Sequence, residues 1–114
     1  MDTIRTKEVW KAAHRLSRLL HTISVKQKRE PLLYTIRYQS VLVITHIIDA
    51  EFRIDSFLKY EQYHQAIILL TQIEYLCLLM VEAGNLPKEQ ADELVELIWQ
   101  ARHHLLVAQQ ELKR

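Results

Sequence analysis

Glycine and proline are almost absent from this chain, and their scarcity limits the folds that it can adopt. The 114 residues contain one glycine and two prolines. Tight hairpins and phosphate-binding loops depend on these residues, so sandwiches, barrels and nucleotide-binding folds are disfavoured. Hydrophobic residues make up 49% of the chain, which is enough to build one core at this length. We therefore expect a single all-α domain that covers residues 1–114.

Apolar residues recur at intervals of three and four, which predicts helices. The first helix is expected from Thr6, a candidate N-cap, to Ile23. Pro31 suits the first position of the second helix, because its missing N–H has no partner there. One face of the second helix carries Leu33, Ile36, Ser40, Val43, Ile47, Ala50 and Ile54, and an adjacent face carries Tyr34, Tyr38, Val41, Ile48 and Phe52. We expect both faces to be buried.

The remaining helices are bounded by turn residues. Asp55 and Ser56 can end the second helix and cap the third. Gly84 follows the third as a left-handed C′ residue, and Pro87 restarts the chain before an amphipathic fourth helix. Short connections between helices of this length predict an antiparallel up-down-up-down four-helix bundle.

The third helix is apolar around most of its circumference. Its expected core stripe is Ala66, Leu69, Ile73, Leu76 and Met80. Further apolar residues surround that stripe, and one bundle cannot cover them all. We therefore expect self-association, with interface residues Ile67, Leu70, Tyr75, Leu78 and Leu79. A groove for a foreign helix and scattered exposed apolar residues are the alternatives.

Charge is distributed unevenly along the chain. Residues 1–37 hold nine Lys or Arg against three acids, whereas residues 38–114 hold six against eleven. The cations of the first helix repeat at helical spacing on the side opposite its core stripe, as expected of a surface that contacts the RNA or DNA backbone. An ordinary solvated face is the alternative. The candidate contact residues are Lys7, Lys11, His14, Arg15, Arg18, Lys26, Lys28, Arg29 and Arg37.

Catalytic and metal-binding patterns are weak. Glu61 and His64 form one Glu-x-x-His pair, but a di-iron bundle needs two such pairs and two more glutamates. Cys77 has no second cysteine to pair with and is expected to be a small buried residue. We predict no catalytic residue, no metal site and no cofactor. The short apolar runs and charged N-terminal residues favour a cytoplasmic protein without a membrane segment.

The chain resembles the four-helix-bundle proteins encoded in ribosomal RNA intervening sequences, and the related accessory variability determinant proteins of diversity-generating retroelements. The resemblance covers about residues 8–114, and residues 34–39, 47–51 and 63–76 carry most of it. Its most specific part is Glu82-Ala83-Gly84-Asn85-Leu86 before the last helix. One departure is Phe52, which stands where intervening-sequence proteins commonly have glycine after Ala-Glu.

This resemblance implies a ring, usually of five subunits, with a positively charged surface and without catalytic residues or a cofactor. In the retroelement branch, the ring binds a reverse transcriptase and its template RNA. We therefore expect a non-catalytic homopentamer that binds nucleic acid as an accessory protein. The alternatives are an intervening-sequence protein, or a structural oligomer that docks another protein and binds no nucleic acid.

Overall fold

Five helices account for most of the residues that the computed structural model describes, which are 2–27 and 30–113. In chain order they are α1 (Asp2–Arg5), α2 (Glu8–Lys26), α3 (Pro31–Phe52), α4 (Ser56–Glu82) and α5 (Lys88–Leu112). There is no strand among these described residues. The expected all-α class is therefore confirmed.

The short helix α1 was not expected. Thr6 Oγ1 and the Thr6 N–H both donate to the carbonyl of Thr3, and the Lys7 N–H donates to Ile4. These bonds close one turn, and Lys7 rather than Thr6 takes the N-cap position of α2. The turn buries the Ile4 side chain, and removal of this apolar surface from water favours the turn. The predicted start of this helix, Thr6, is therefore two residues too early. Its predicted end, Ile23, is three residues too early.

The predicted starts of α3 and α4 and the end of α4 are confirmed. Pro31 opens α3, where the Glu30 side chain accepts from the Leu32 N–H. Asp55 caps α4 by accepting from the Leu58 N–H at 3.1 Å. Gly84 has φ +76°, and Asn85 N–H donates to the Met80 carbonyl at 2.8 Å. This bond and the Gly84 N–H to Val81 bond form a Schellman motif that ends α4.

The four long helices enclose one core. Helix α2 packs against α3 and α5, and α4 packs against the other sides of the same two helices. Lys7 contacts Glu51 while Ser17 contacts Ser40, so residue numbers rise along α2 as they fall along α3. The molecule measures 45 × 24 × 18 Å, and its long dimension matches the 27 residues of α4, which extend about 40 Å.

The expected core stripe of α3 is largely confirmed. On α3 six of the seven predicted positions are buried, but Ile54 lies in the link before α4 and is 97% exposed. The adjacent α3 face is also not buried as predicted: Tyr34, Tyr38, Val41 and Phe52 are exposed, and Ile48 is half-buried. Among the long helices of the described residues, only α2 and α4 pack against α3, and the exposure of these four residues shows that the two neighbours leave this face largely uncovered.

Candidate nucleic-acid interface

The basic surface follows the outer side of α2. Leu16, Leu20 and Ile23 point into the core, and Arg18, which stands between them in the sequence, lies on the opposite side of the helix. Between Val9 and Ile48 the sequence has seven Lys or Arg and a single acidic residue, Glu30. The Glu30 carboxylate caps α3. The positive potential of α2 is therefore not neutralised by acids on its own helix after Glu8.

The predicted contact residues differ in whether they have acidic partners. Lys7 Nζ lies 3.9 Å from Glu51 Oε2, and Lys11 Nζ lies 3.4 Å from Glu8 Oε1. By contrast, no ion pair within residues 2–27 and 30–113 engages Arg15, Arg18, Lys26 or Arg37. Arg15, Arg18 and Lys26 are exposed, and Arg37 is half-buried. Lys28 and Arg29 lie outside the described residues. Among the predicted contact residues that the structure describes, Arg15, Arg18, Lys26 and Arg37 are therefore the most available to a ligand.

His14 is engaged by an aromatic neighbour. Its ring stacks on Trp10 with the centroids 4.4 Å apart and the planes 15° apart. Both side chains are half-buried. His14 therefore has a packing role beside the arginines, and Trp10 lies on the edge of the same surface.

The pairing of α2 with α3 adds Arg37 to this surface. Ser17 and Ser40 lie 3.4 Å apart between their Oγ atoms, which fixes the relative level of the two antiparallel helices. One turn beyond Ser17 is His21, and Arg37 lies one turn before Ser40. His21 and Arg37 are therefore level with each other, although sixteen positions separate them in the sequence.

Sequence reasoning missed a group of exposed aromatic side chains beside these cations. Tyr34 is 50% exposed and Tyr38 is 65% exposed. They lie one turn apart on the face of α3 that was expected to be buried, and Val41 continues the stripe. The absence of acids from this part of α3 was a signal in the sequence, but the apolar pattern favoured burial. We call Tyr34, Tyr38 and Val41 the α3 stripe.

The predicted interface on α4 is partly correct in its exposure. Tyr75 is 59% exposed, Leu78 is 53% exposed, and Ile67 and Leu79 are half-buried. Leu70 is fully buried, so its assignment to the interface is wrong. Leu70 lies one turn before Ile73 on the core side of α4. The core stripe was expected to include Leu69 and Leu76, but Leu70 and Cys77 are the residues that are fully buried.

Grooves flank the exposed residues of α4. Ile68, Thr71, Tyr75 and Leu78, named here the α4 ridge, lie on its outer face. A groove of about 450 Å³ between α4 and α5 and one of about 410 Å³ between α3 and α4 both include Tyr75. By length and composition α4 is apolar enough to cross a bilayer, and 28% of its most apolar window is buried. The ridge is therefore an apolar surface that the chain itself leaves uncovered.

A polar network borders the α4/α5 groove. Trp99 Nε1 donates to Glu74 Oε2 at 3.0 Å, and Arg102 lies 2.9 Å from Glu74 Oε1. Arg102 also donates to Thr71 and lies over the Trp99 ring. The Trp99 ring is largely exposed. Glu74 is thereby held in place on the surface of the α4/α5 pair.

The remaining reactive groups are spread through the molecule. The described residues contain no cluster of three or more His, Cys, Asp or Glu that could hold a metal ion. Cys77 is buried, as expected, and burial, assisted by Glu74, raises its pKa to about 11. Burial also raises the pKa of Tyr63, whose hydroxyl donates to Glu51.

Three surfaces are thus available for function: the α3 stripe, the α4 ridge, and a basic face on α2 and α3. The basic face is formed by Arg15, Arg18, Lys26 and Arg37. Comparison of the chain with protein-family models, with curated proteins and with solved structures gives no match.

Proposed function

We propose that this protein is a non-catalytic, nucleic-acid-binding accessory protein that acts as a homo-oligomer in the cytoplasm. The observation that carries the proposal is the group Arg15, Arg18, Lys26 and Arg37, which have no acidic partner among residues 2–27 and 30–113. Exposed cations at helical spacing suit a phosphate backbone, which requires positive charge rather than a fixed motif.

The length of the basic face supports this partner. From Lys11 to Lys26 the helix rises about 22 Å, so cations along it meet several phosphates of one strand. Neutralising those phosphates releases counterions, which makes the affinity salt-dependent. A face of this kind binds through charge and does not distinguish base sequences.

The proposed assembly is an antiparallel up-down-up-down four-helix bundle that forms a ring, with a pentamer favoured by the family resemblance. Support for self-association comes from the α4 ridge, because exposed apolar surface of this density is typical of interfaces. The grooves beside Tyr75 would receive side chains of a second copy. Each subunit of a ring repeats the basic face, so weak contacts add up to a multivalent surface.

The resemblance to retroelement accessory proteins extends the proposal to a reverse transcriptase and its template RNA as partners. The competing proposal is a structural oligomer that docks another protein without binding nucleic acid, either as an intervening-sequence protein or otherwise. The α4 ridge favours this second candidate as well, because an apolar surface serves a protein partner equally. The two candidates differ in the role of the basic face, which binds nucleic acid only in the first.

The test is a double charge reversal, Arg15→Glu with Arg18→Glu, measured by RNA affinity over a range of salt concentrations. The wild-type affinity should fall steeply with salt. Loss of two phosphate contacts should reduce the log–log slope by about 1.4 for a single strand. The control Arg53→Glu with Lys113→Glu makes the same charge change at exposed positions away from the basic face.

The outcomes separate the candidates. Nucleic-acid binding requires that the Arg15 and Arg18 variant lose affinity while the control keeps it and both retain the wild-type particle mass. A wild-type oligomer that binds no RNA at low salt supports the structural protein-docking candidate. Equal losses in both double variants would mean that affinity follows net charge, and the assignment of the site to α2 would be wrong.

A further inference from the structure

The α3 stripe lies next to the cations of α2, and this arrangement indicates whether the bound nucleic acid is a single strand or a duplex. We infer that the protein binds a single strand, with bases stacked on Tyr38 and Tyr34 and the backbone held by Arg18 and Arg37. This inference rests on the proposed function, since it describes the ligand of the same surface.

The first support is the exposure and spacing of the tyrosines. Tyr38 is 65% exposed and Tyr34 is 50% exposed, so both rings offer area to a ligand. Tyr38 lies four positions after Tyr34, which places the two rings on one face about 6 Å apart along the helix. Aromatic side chains in such a row form platforms for successive bases, and stacking tolerates any base.

The second support is the position of the charges relative to the rings. Arg18 follows Ser17, which contacts Ser40 on α3, and Arg37 directly precedes Tyr38. Neither arginine has an ion pair among the described residues. Cations therefore lie on the α2 side and aromatic rings on the outer α3 side, which matches a strand that directs its phosphates to one side and its bases to the other.

A duplex fits this surface poorly. The bases of a duplex are stacked on each other and present only their edges in the grooves, so the rings of the α3 stripe have no base face to stack on. Charged phosphates would instead lose water against apolar rings and Val41. A single strand avoids this cost because its bases can unstack onto the tyrosines.

The experiment compares a fluorescent twelve-nucleotide oligouridylate with a twelve-base-pair RNA duplex by anisotropy at one salt concentration. We expect the wild type to bind the single strand at least tenfold more tightly. Tyr38→Ala should weaken single-strand binding by about tenfold, whereas Tyr38→Phe keeps the ring and the affinity. The salt slope of Tyr38→Ala should stay unchanged, because no phosphate contact is lost.

The control is Phe57→Ala, which removes a 69% exposed aromatic ring at the start of α4. Its affinity for both ligands should equal that of the wild type. Because Tyr38 is exposed, loss of its ring does not disturb the core, and circular dichroism with particle mass verifies this for every variant.

Three results would overturn the inference, and they differ from the result that removes the proposed function. Equal or tighter binding of the duplex would leave nucleic-acid binding standing but reject the single strand. Unchanged affinity in Tyr38→Ala would reject stacking, and an altered particle mass would make the α3 stripe a contact between copies. Failure of the wild type to bind either RNA at low salt removes the proposed function itself.

Discussion

Cys77 illustrates how the core changes the chemistry of one residue. Its thiol is fully buried, and burial raises the pKa from 9.0 to about 11. Between these values the unfolded chain has lost the thiol proton while the folded chain retains it. The buried thiol therefore makes its full contribution to stability below pH 9, and this contribution declines as the pH rises towards 11.

We expect the free energy of unfolding of the wild type to decrease above pH 9 more steeply than that of Cys77→Ala. The difference between the two curves should change by on the order of 1 kcal/mol between pH 8 and pH 10. Urea denaturation at several pH values measures it. Cys77→Ser is the second variant. It should be less stable than Cys77→Ala, but it also has no thiol proton to lose, so its stability should show the same weaker dependence on pH. Parallel curves for all three proteins would contradict the role of the thiol.

The end of α4 depends on a residue in the left-handed conformation. Gly84 has φ +76°, a left-handed conformation that costs a residue with a Cβ about 1–2 kcal/mol. A Cβ at this position would meet no atom within 4 Å, so the cost is backbone strain and not a clash.

Gly84→Ala should therefore lower the free energy of unfolding by about 1 kcal/mol. Gly84→Asn should lose less, because asparagine tolerates this conformation better. Chemical denaturation of the wild type and the two variants measures the order. Equal stability of the wild type and Gly84→Ala is the result that this account does not allow.

The sequence predicted the helices where a single residue determines a boundary. Pro31 and Gly84 act through their own backbone constraints, and Asp55 acts through a bond to a residue three positions away. Such local effects can be read directly from the chain. The start of α2 could not be read in this way, because the turn before it includes Ile4, whose burial is a property of the folded molecule.

Burial was harder to predict where a helix is apolar on several sides. Periodicity groups residues on one face but does not select the face that neighbouring helices cover. Leu70 was therefore placed outside and proved to be core, while Tyr34 and Tyr38 were placed inside and proved to be exposed. The basic surface was predicted from charge and helical spacing, but the pairing of Lys7 with Glu51 could not be, because it joins distant parts of the sequence.

For the whole molecule, the α4 ridge predicts self-association. Leu78→Glu puts a charge into the ridge, and a charge is costly to bury in an apolar contact. We expect the wild type to have a multiple of the 13.6 kDa chain mass in multi-angle light scattering at micromolar concentration. The variant should dissociate towards the single-chain mass.

Leu106→Glu provides the matched control for this measurement. Leu106 is 46% exposed, similar to Leu78, but it lies on α5 outside the ridge. Its particle mass should equal that of the wild type. A wild type that remains at 13.6 kDa, or a control that dissociates as readily as Leu78→Glu, would remove the ridge as the interface.

The two tryptophans give the molecule separate optical reporters. Trp10 stacks on His14 at the border of the cationic face, whereas the indole of Trp99 is tied to Glu74 beside the α4/α5 groove. Each ring therefore responds to changes in a different neighbourhood. Single-tryptophan proteins made by replacing one ring with phenylalanine would let intrinsic emission distinguish ligand capture from subunit docking without an attached dye.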